Sequence, residues 1–306
     1  MSSFDAFNQI LQRDEPLAPY TWLHLGGPAQ FLFTPRSVEE LMAVVQNCQE
    51  DQIPIRILGG GSNLLIKDEG VSGAVIRLNN EVFGKISIEG NPESARKSDI
   101  PQFVNRVRAG GGALLSHVIA ETVREGLAGF ENLAGIPGTV GGALCGNSGG
   151  RLGEISQLVK SVSGFTLLGE RVTRNRDELS FDYRQSNLSD MVIVEAEFEL
   201  TKGDPEAISQ MLKKNWIAKK SVQPLSSQSA GCVFKNPRGQ RAGQLIEQAG
   251  LKGTRVGGAE ISDRHANFIV THPGAKSSDV LTLIDLIRSK ISEQFGVHLE
   301  SEIKIW

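Results

Sequence analysis

The stretch Leu133-Ala134-Gly135-Ile136-Pro137-Gly138-Thr139-Val140-Gly141-Gly142-Ala143 constrains this chain more than any other. Five of its eleven positions are Gly or Pro, and almost no side chain in it can do chemistry. Glycine permits φ > 0 and removes the Cβ that would hold a ligand away, while proline fixes its own φ. Successive backbone N–H groups in such a turn form a concave donor array that suits phosphate oxygens. A second glycine run, Gly59-Gly60-Gly61-Ser62-Asn63, lies upstream. Two glycine loops with apolar flanks point to a ligand carrying an extended phosphate.

What surrounds these loops argues against the commonest alternative. Ile55-Arg56-Ile57-Leu58 reads as a short strand entering the first loop. A dinucleotide fingerprint of the Rossmann kind needs its glycines to open a helix. Here Leu64-Leu65-Ile66 leads through a polar turn to another strand, Ala74 to Leu78, so the order is strand–loop–strand.

Elsewhere the pattern is that of a mixed α and β chain. Phe4, Phe7, Ile10 and Leu11 predict a short N-terminal helix, and Gln30 to Thr34 a strand. Ser37 is a good N-cap for a helix with Val38, Leu41, Met42, Val45 and Cys48 on its apolar stripe. Cys48 there is a core residue. Glu89 to Pro101 is the most polar stretch and reads as a mobile hairpin tip, with a strand from Phe103 to Ala109 and a helix from Ala113 to Glu125. The central glycine stretch continues as loop through Gly146–Gly150. Strands are predicted at Leu158–Leu168 and Met191–Leu200. In the second, Val194, Ala196, Phe198 and Leu200 alternate with Glu195, Glu197 and Glu199, one face dry and one wet. Pro205 opens a helix to about Ser221 with a basic end. A compact α/β unit follows, with helices near 241–249 and 277–295 and a strand at 267–271. A last strand runs from Glu302 to Trp306, its isoleucines facing one way.

At 306 residues the chain is long for a single core. A net charge of −3 gives no reason to expect nucleic acid or an acidic membrane surface. No apolar run approaches the ~20 residues of a membrane span, and the N-terminus lacks the pattern of a signal peptide. Three cysteines, Cys48, Cys145 and Cys232, are odd in number and far apart, offering neither a disulfide framework nor metal-ligand spacing. A cytoplasmic monomer with no bound metal is the expectation.

Pattern alone carries the reading to a cofactor-binding protein with two phosphate loops. Several segments then resemble one family, the UDP-N-acetylenolpyruvoylglucosamine reductases of peptidoglycan synthesis. They are Thr21…Leu25-Gly26-Gly27-Pro28-Ala29, Gly59-Gly60-Gly61-Ser62-Asn63-Leu64-Leu65, and Gly135 to Ala143. Phe181-Asp182-Tyr183-Arg184, Ser229 to Pro237, Ala242 to Glu247 and His265 to Val270 follow in the family's order. There is no room for the tyrosine-bearing insertion of one branch, so the resemblance is to the shorter branch.

The resemblance implies an α+β chain with a p-cresol methylhydroxylase-type FAD-binding fold. It implies two α/β FAD-binding lobes, residues 1–80 with the C-terminal strand 297–306 and residues 81–215, and a substrate-binding lobe at 218–296. FAD would be held noncovalently between the first two by Gly59, Gly60, Gly61, Ser62 and Asn63 and by Gly135, Pro137, Gly138, Thr139, Gly141 and Gly142. NADPH would reduce it, and hydride would pass to UDP-N-acetylglucosamine enolpyruvate. Such a transfer builds negative charge on the substrate carboxylate and the adjoining carbon, so it needs a fixed cation, an acid and hydrogen bonds.

By motif Arg184 is the cation, always charged and able to grip a carboxylate with two donors. Glu302 is the C-terminal acid or orienting group, although Ser301 stands where the family usually has proline. Cys232 stands where the family usually has serine as proton donor. A thiol, with an unperturbed pKa of ~8.5, is a far stronger acid than an alcohol. Tyr183, Lys219, Lys220 and Asn236 are implied substrate contacts. Two other readings remain: an oxidase of the same fold with flavin attached through Cys145, and a flavin- or nucleotide-sugar-binding regulator without catalysis.

Overall fold

The computed structural model describes residues 4–78, 80–90 and 104–306. By contacts the chain divides into two compact units. The first takes Met1–Leu11, Phe33–Gly60 and Ala74–Ala218, and the second Gln12–Leu32, Gly61–Gly73 and Lys219–Trp306. Most of the polar hairpin expected at 89–101 lies outside the described residues.

The first unit is organised on an antiparallel sheet whose long central strand is Met191–Lys202. Val159–Thr166 pairs with one edge of it and Val104–Gly110 with the other. Arg171–Asn175 and Ile86–Glu89 flank these in turn. The glutamates of the central strand point away from the core as expected. Glu197 meets Arg108 at 3.1 Å and Lys160 at 3.4 Å, and Lys160 also meets Glu199 at 2.6 Å. On the dry face Phe198 packs edge-on against Phe130, with ring centroids 5.0 Å apart. The helix Leu115–Arg124 buries Leu115, Val118 and Ile119 there.

In the same unit Ser37 caps the helix Val38–Glu50, its hydroxyl accepting from the Glu40 N–H. Leu41, Val44, Val45 and Cys48 are buried while Met42 is exposed, so the stripe lies slightly round from the predicted one. Burial pushes the Cys48 thiol up to about 12, as a core role requires. Ile55–Leu58 pairs in parallel with Ala74 to Arg77, which confirms the strand–loop–strand order around the first glycine loop.

Two local expectations fail for identifiable reasons. The N-terminal helix is only a turn, Asp5–Phe7, followed by the strand Leu11–Pro16. The spacing of Phe4 and Phe7 serves one aromatic cluster instead, with both rings edge-on to Phe33. The central glycine stretch is not all loop, because Val140–Cys145 is helical. Each glycine costs a helix ~1 kcal/mol relative to alanine. Burial of Val140, Ala143 and Leu144 offsets it.

The second unit is built on the antiparallel order Gln228–Cys232, Phe268–Thr271, Ala259–Ile261, Arg255–Val256. The helices Ala242–Gln248 and Ser277–Phe295 supply its core through Leu245, Ile246, Leu283, Ile284 and Ile287. Gly296, at φ +64°, ends the longer one in the left-handed conformation typical of a helix stop. The final strand is shorter than predicted. Only Lys304–Ile305 pairs, in parallel, with Leu64–Leu65, and Ile303 is buried while Ile305 is exposed. No helix among the described residues is long and apolar enough to cross a membrane.

Candidate active site

In the first unit the two glycine loops meet backbone to backbone. A Cβ on Gly60 would sit 2.7 Å from the Gly138 Cα, and one on Gly59 would sit 2.8 Å from the Thr139 Oγ1. Gly135 and Gly138 have φ of +70° and +106°, conformations that side-chain-bearing residues rarely adopt. Thr139 turns its hydroxyl to the Gly142 N–H at the start of the helix Val140–Cys145. Gly141 lets that helix lie against the Gly111 carbonyl, which a Cβ would approach to 3.0 Å. Gly59, Gly60 and Gly138 are thus one close-packed patch of main chain, with the Thr139 hydroxyl beside it. Such a patch fits the pyrophosphate of a dinucleotide cofactor, which needs close main-chain approach and no intervening side chain.

The remainder of the first loop belongs to the second unit and is occupied differently. Gly61, at φ +62°, has no room for a Cβ because the Tyr20 carbonyl is 2.0 Å away. Its own carbonyl accepts from the Trp22 N–H. Asn63 donates through Nδ2 to the Glu302 carbonyl, and its carbonyl accepts from the Lys304 N–H. This asparagine, predicted at the cofactor, therefore also fastens the C-terminal segment.

Arg184 occupies the two-residue turn of a tight hairpin, Phe181–Asp182 paired with Gln185–Ser186. Its φ is +60°, strained for a residue with a side chain. The guanidinium donates from Nη2 to the Gly149 carbonyl at 2.9 Å, and its Nη1 stands 3.7 Å from Glu154 Oε1. It also covers the Tyr183 ring, 4.9 Å from its centroid. Glu154 is in turn held by the buried amide of Asn147 at 2.9 Å. Neither Glu154 nor Asn147 was singled out in the sequence. The available signal was an asparagine in a glycine run, a residue type that tolerates left-handed backbone.

Cys145, the candidate for covalent flavin attachment, is half-buried against the first core and donates to the Leu188 carbonyl at 3.7 Å.

In the second unit Cys232 ends the strand Gln228–Cys232. Gln228 and Ser229 pair in register with Thr271 and Val270. A bulge then intervenes, and Cys232 pairs with Phe268. Gly231 supplies the bulge with φ +75°. Beyond it the chain is gripped by the buried Asn267. Its Oδ1 accepts from the Phe234 N–H at 3.0 Å, its Nδ2 donates to the Phe234 carbonyl at 2.8 Å, and its backbone carbonyl accepts from the Val233 N–H. One amide side chain thereby continues the ladder that the bulge interrupts.

On the other side of the same segment lies the C-terminus. The Glu302 N–H donates to the Val233 carbonyl at 2.8 Å, Phe234 bridges Ser301, and the Lys235 N–H donates to the Glu300 carbonyl. The segments that carry Cys232 and Glu302, far apart in sequence, thus run side by side, and both residues are partly accessible to solvent. Asn236 accepts at Oδ1 from the Ala242 N–H and ties this segment to the helix Ala242–Gln248. Lys219 and Lys220 lie in the last turn of the helix Pro205–Val222, where the Lys220 carbonyl accepts from Arg264 at 2.6 Å. His265, whose ring packs edge-on against Phe268, is held below the usual histidine range by burial.

Comparison with known proteins agrees with this geometry. Residues 223–306 match the C-terminal domain of UDP-N-acetylenolpyruvoylglucosamine reductase, and residues 29–173 match an FAD binding domain. UDP-N-acetylenolpyruvoylglucosamine reductase 2 of Symbiobacterium thermophilum is 39% identical over 97% of this chain and 92% of its own. The corresponding reductase of Syntrophus aciditrophicus is 41% identical over 95% of this chain and 90% of its own. The crystal structure of the reductase from Thermus caldophilus superposes with a TM-score of 0.80 at 38% identity, covering 97% of this chain and 98% of that one.

Proposed function

The chain belongs to the UDP-N-acetylenolpyruvoylglucosamine reductase family, and from that premise we propose that it reduces UDP-N-acetylglucosamine enolpyruvate to UDP-N-acetylmuramate with NADPH as reductant. Its fold is α+β, of the p-cresol methylhydroxylase type, and the C-terminal part would bind the substrate. Gly59, Gly60, Gly138 and Thr139 would hold the FAD pyrophosphate, with Gly61, Ser62, Asn63, Gly135, Pro137, Gly141 and Gly142 completing the loops. Bound there and reduced by NADPH, FAD would supply hydride to the methylene carbon of the enolpyruvyl double bond.

The protein's own groups handle what that addition creates. The electron pair left on the carbon beside the carboxylate delocalises into the carboxyl group, so charge grows there. Arg184 binds that carboxylate, and a fixed guanidinium favours the charge without reorganising. Cys232 gives its thiol proton to the carbon, completing the new C–H bond. Glu302, fixed beside the Cys232 segment, orients the carboxyl end and can serve as a second acid. Tyr183, Lys219, Lys220 and Asn236 contact the remainder of the UDP-sugar. A monomer working in the cytoplasm accords with this reading.

The observation that supports the proposal is the pairing of the Glu302 N–H with the carbonyl of Val233, the residue that follows Cys232 in the chain. The direct test is NADPH oxidation by the flavin-loaded protein. It should depend on the enolpyruvyl sugar and yield UDP-N-acetylmuramate, identified by mass. Oxidation indifferent to the sugar would overturn the proposal.

A further inference from the structure

Arg184 is an unusual choice for a hairpin tip. Its left-handed φ of +60° costs on the order of 1–3 kcal/mol and persists only where the surroundings over-determine it. Besides the Gly149 carbonyl, which accepts from Nη2 at 2.9 Å, and the Tyr183 ring, the surroundings include two other polar side chains. Glu154 begins a short helical turn, Ile155–Gln157, in a reciprocal cap with Gln157 that fixes its backbone and aims its carboxylate. One carboxylate oxygen faces Arg184 Nη1 at 3.7 Å and the other accepts from Asn147 Nδ2 at 2.9 Å.

Asn147 is 1% exposed and has φ +41°. Its Nδ2 has two hydrogens and both are engaged, one by Glu154 and one by the Asp182 carbonyl at 3.0 Å. Asp182 is the residue from which the Arg184 turn departs. The Asn147 Oδ1 is buried and takes no hydrogen bond among the described residues. The side chain is thus oriented entirely by its donors. No other residue type matches the position as well: aspartate would set an anion against Glu154, and glutamine is less at home in left-handed backbone.

We propose that Glu154 and Asn147 are positioning residues for Arg184, Glu154 holding the guanidinium and Asn147 locking Glu154 to the base of the hairpin. The inference rests on the role given to Arg184 above. A guanidinium on a strained turn, unsupported, would sample several rotamers, and a displacement of ~1 Å can cost a reaction ~10²-fold.

The test is a double-mutant cycle on the half-reaction in which NADPH-reduced, flavin-loaded protein is reoxidised by UDP-N-acetylglucosamine enolpyruvate. Glu154→Ala is expected to slow it by about 10–100-fold. Reduction by NADPH and the flavin-to-protein absorbance ratio should not change. Glu154→Gln, which keeps the reach and an acceptor oxygen, should recover part of the loss. In an Arg184→Ala background Glu154→Ala should cost less than about twofold, because nothing is left to position. Equal losses in both backgrounds would mean a general structural role and overturn this inference alone. So would a wild-type rate in Glu154→Ala. A wild-type rate in Arg184→Ala would overturn the role of Arg184 itself, and this inference with it.

Discussion

The glycine patch of the first unit and the Cys232 segment of the second solve opposite problems. The patch presents main chain, and its specificity lies in what is missing: a Cβ at Gly60 would collide with the Gly138 Cα. The segment presents side chains, and its backbone is held on both sides, by Asn267 and by the C-terminal residues 300–302. A site of the first kind fails by being filled, and one of the second kind by being loosened. The two failures are experimentally distinct, since filling the patch should empty the protein of flavin. Loosening the segment should leave flavin in place and slow only the step that uses the substrate.

The largest effect expected from this contrast is at Cys232. Cys232→Ala should slow reoxidation of reduced flavin by the enolpyruvyl sugar by ~10²–10⁴-fold, the usual range for loss of a general acid. Reduction by NADPH requires no protonation of the sugar and should be nearly intact. Cys232→Ser should recover much of the loss, and alkylation should inactivate the wild type but not the serine variant. A stopped-flow record in which the alanine variant reoxidises at the wild-type rate would make Cys232 a packing residue.

Next comes the patch. Gly138→Val should lower the flavin-to-protein absorbance ratio of purified protein by about tenfold or more, because φ +106° and a branched side chain are incompatible. The second unit should keep its fold. A wild-type ratio would remove the patch from the cofactor site.

How much of each region could be read in advance follows from the same contrast. Glycines announce a bare-backbone site, so both loops were visible, as were the strand entering the first and the exclusion of a Rossmann turn. What glycine conceals is helix. Val140–Cys145 went unread because two glycines outweigh local propensity, and only tertiary burial restores it. In the second region motif singled out Cys232 and Glu302, but it did not show how their segments are held. Asn267 sits in a strand-like run with nothing to show that its side chain would replace a missing ladder bond. Glu154 was hidden for a similar reason, since its partner is reached through a turn and not through sequence spacing. Contacts made by one amide or carboxylate across a fold leave no period in the sequence.

Asn267→Ala therefore tests the segment more finely than Cys232 does. It strips the Phe234 N–H and carbonyl of their partners in a buried place, at about 1–3 kcal/mol for each orphaned group. The melting temperature should fall by several degrees. Reoxidation should slow by less than in Cys232→Ala, because the Val233–Asn267 backbone pairing survives. Flavin content should stay at the wild-type level. A selective fall in flavin content would erase the distinction between the two regions.

The smallest effect belongs to the far end of the same sheet, where Gln228 pairs with Thr271. Glu260 is buried there, with His272 Nε2 at 2.8 Å and Arg255 Nη2 at 2.6 Å. Burial alone would raise its pKa, but hydrogen bonds and charge from His272 and Arg255 outweigh it and hold the carboxyl below the usual range. A carboxyl bound more tightly to its proton when unfolded adds stability above the ordinary carboxylate pKa. That stability is lost as pH falls through the lower, folded value. Glu260→Gln should thus lower the melting temperature at pH 7 by ~2–4 °C, the equivalent of about 1 kcal/mol or less with Arg255 largely exposed. The difference should shrink as the pH falls through that lower, folded value, below which both proteins carry a neutral group. A difference that persists in acid would assign the loss to packing. Both half-reactions should run at wild-type rates in Glu260→Gln, since the pairing that aims Cys232 lies at the opposite end of its strand. Slowed reoxidation here would mean that the sheet transmits strain along its whole length, and that the site is held less locally than Asn267 and residues 300–302 imply.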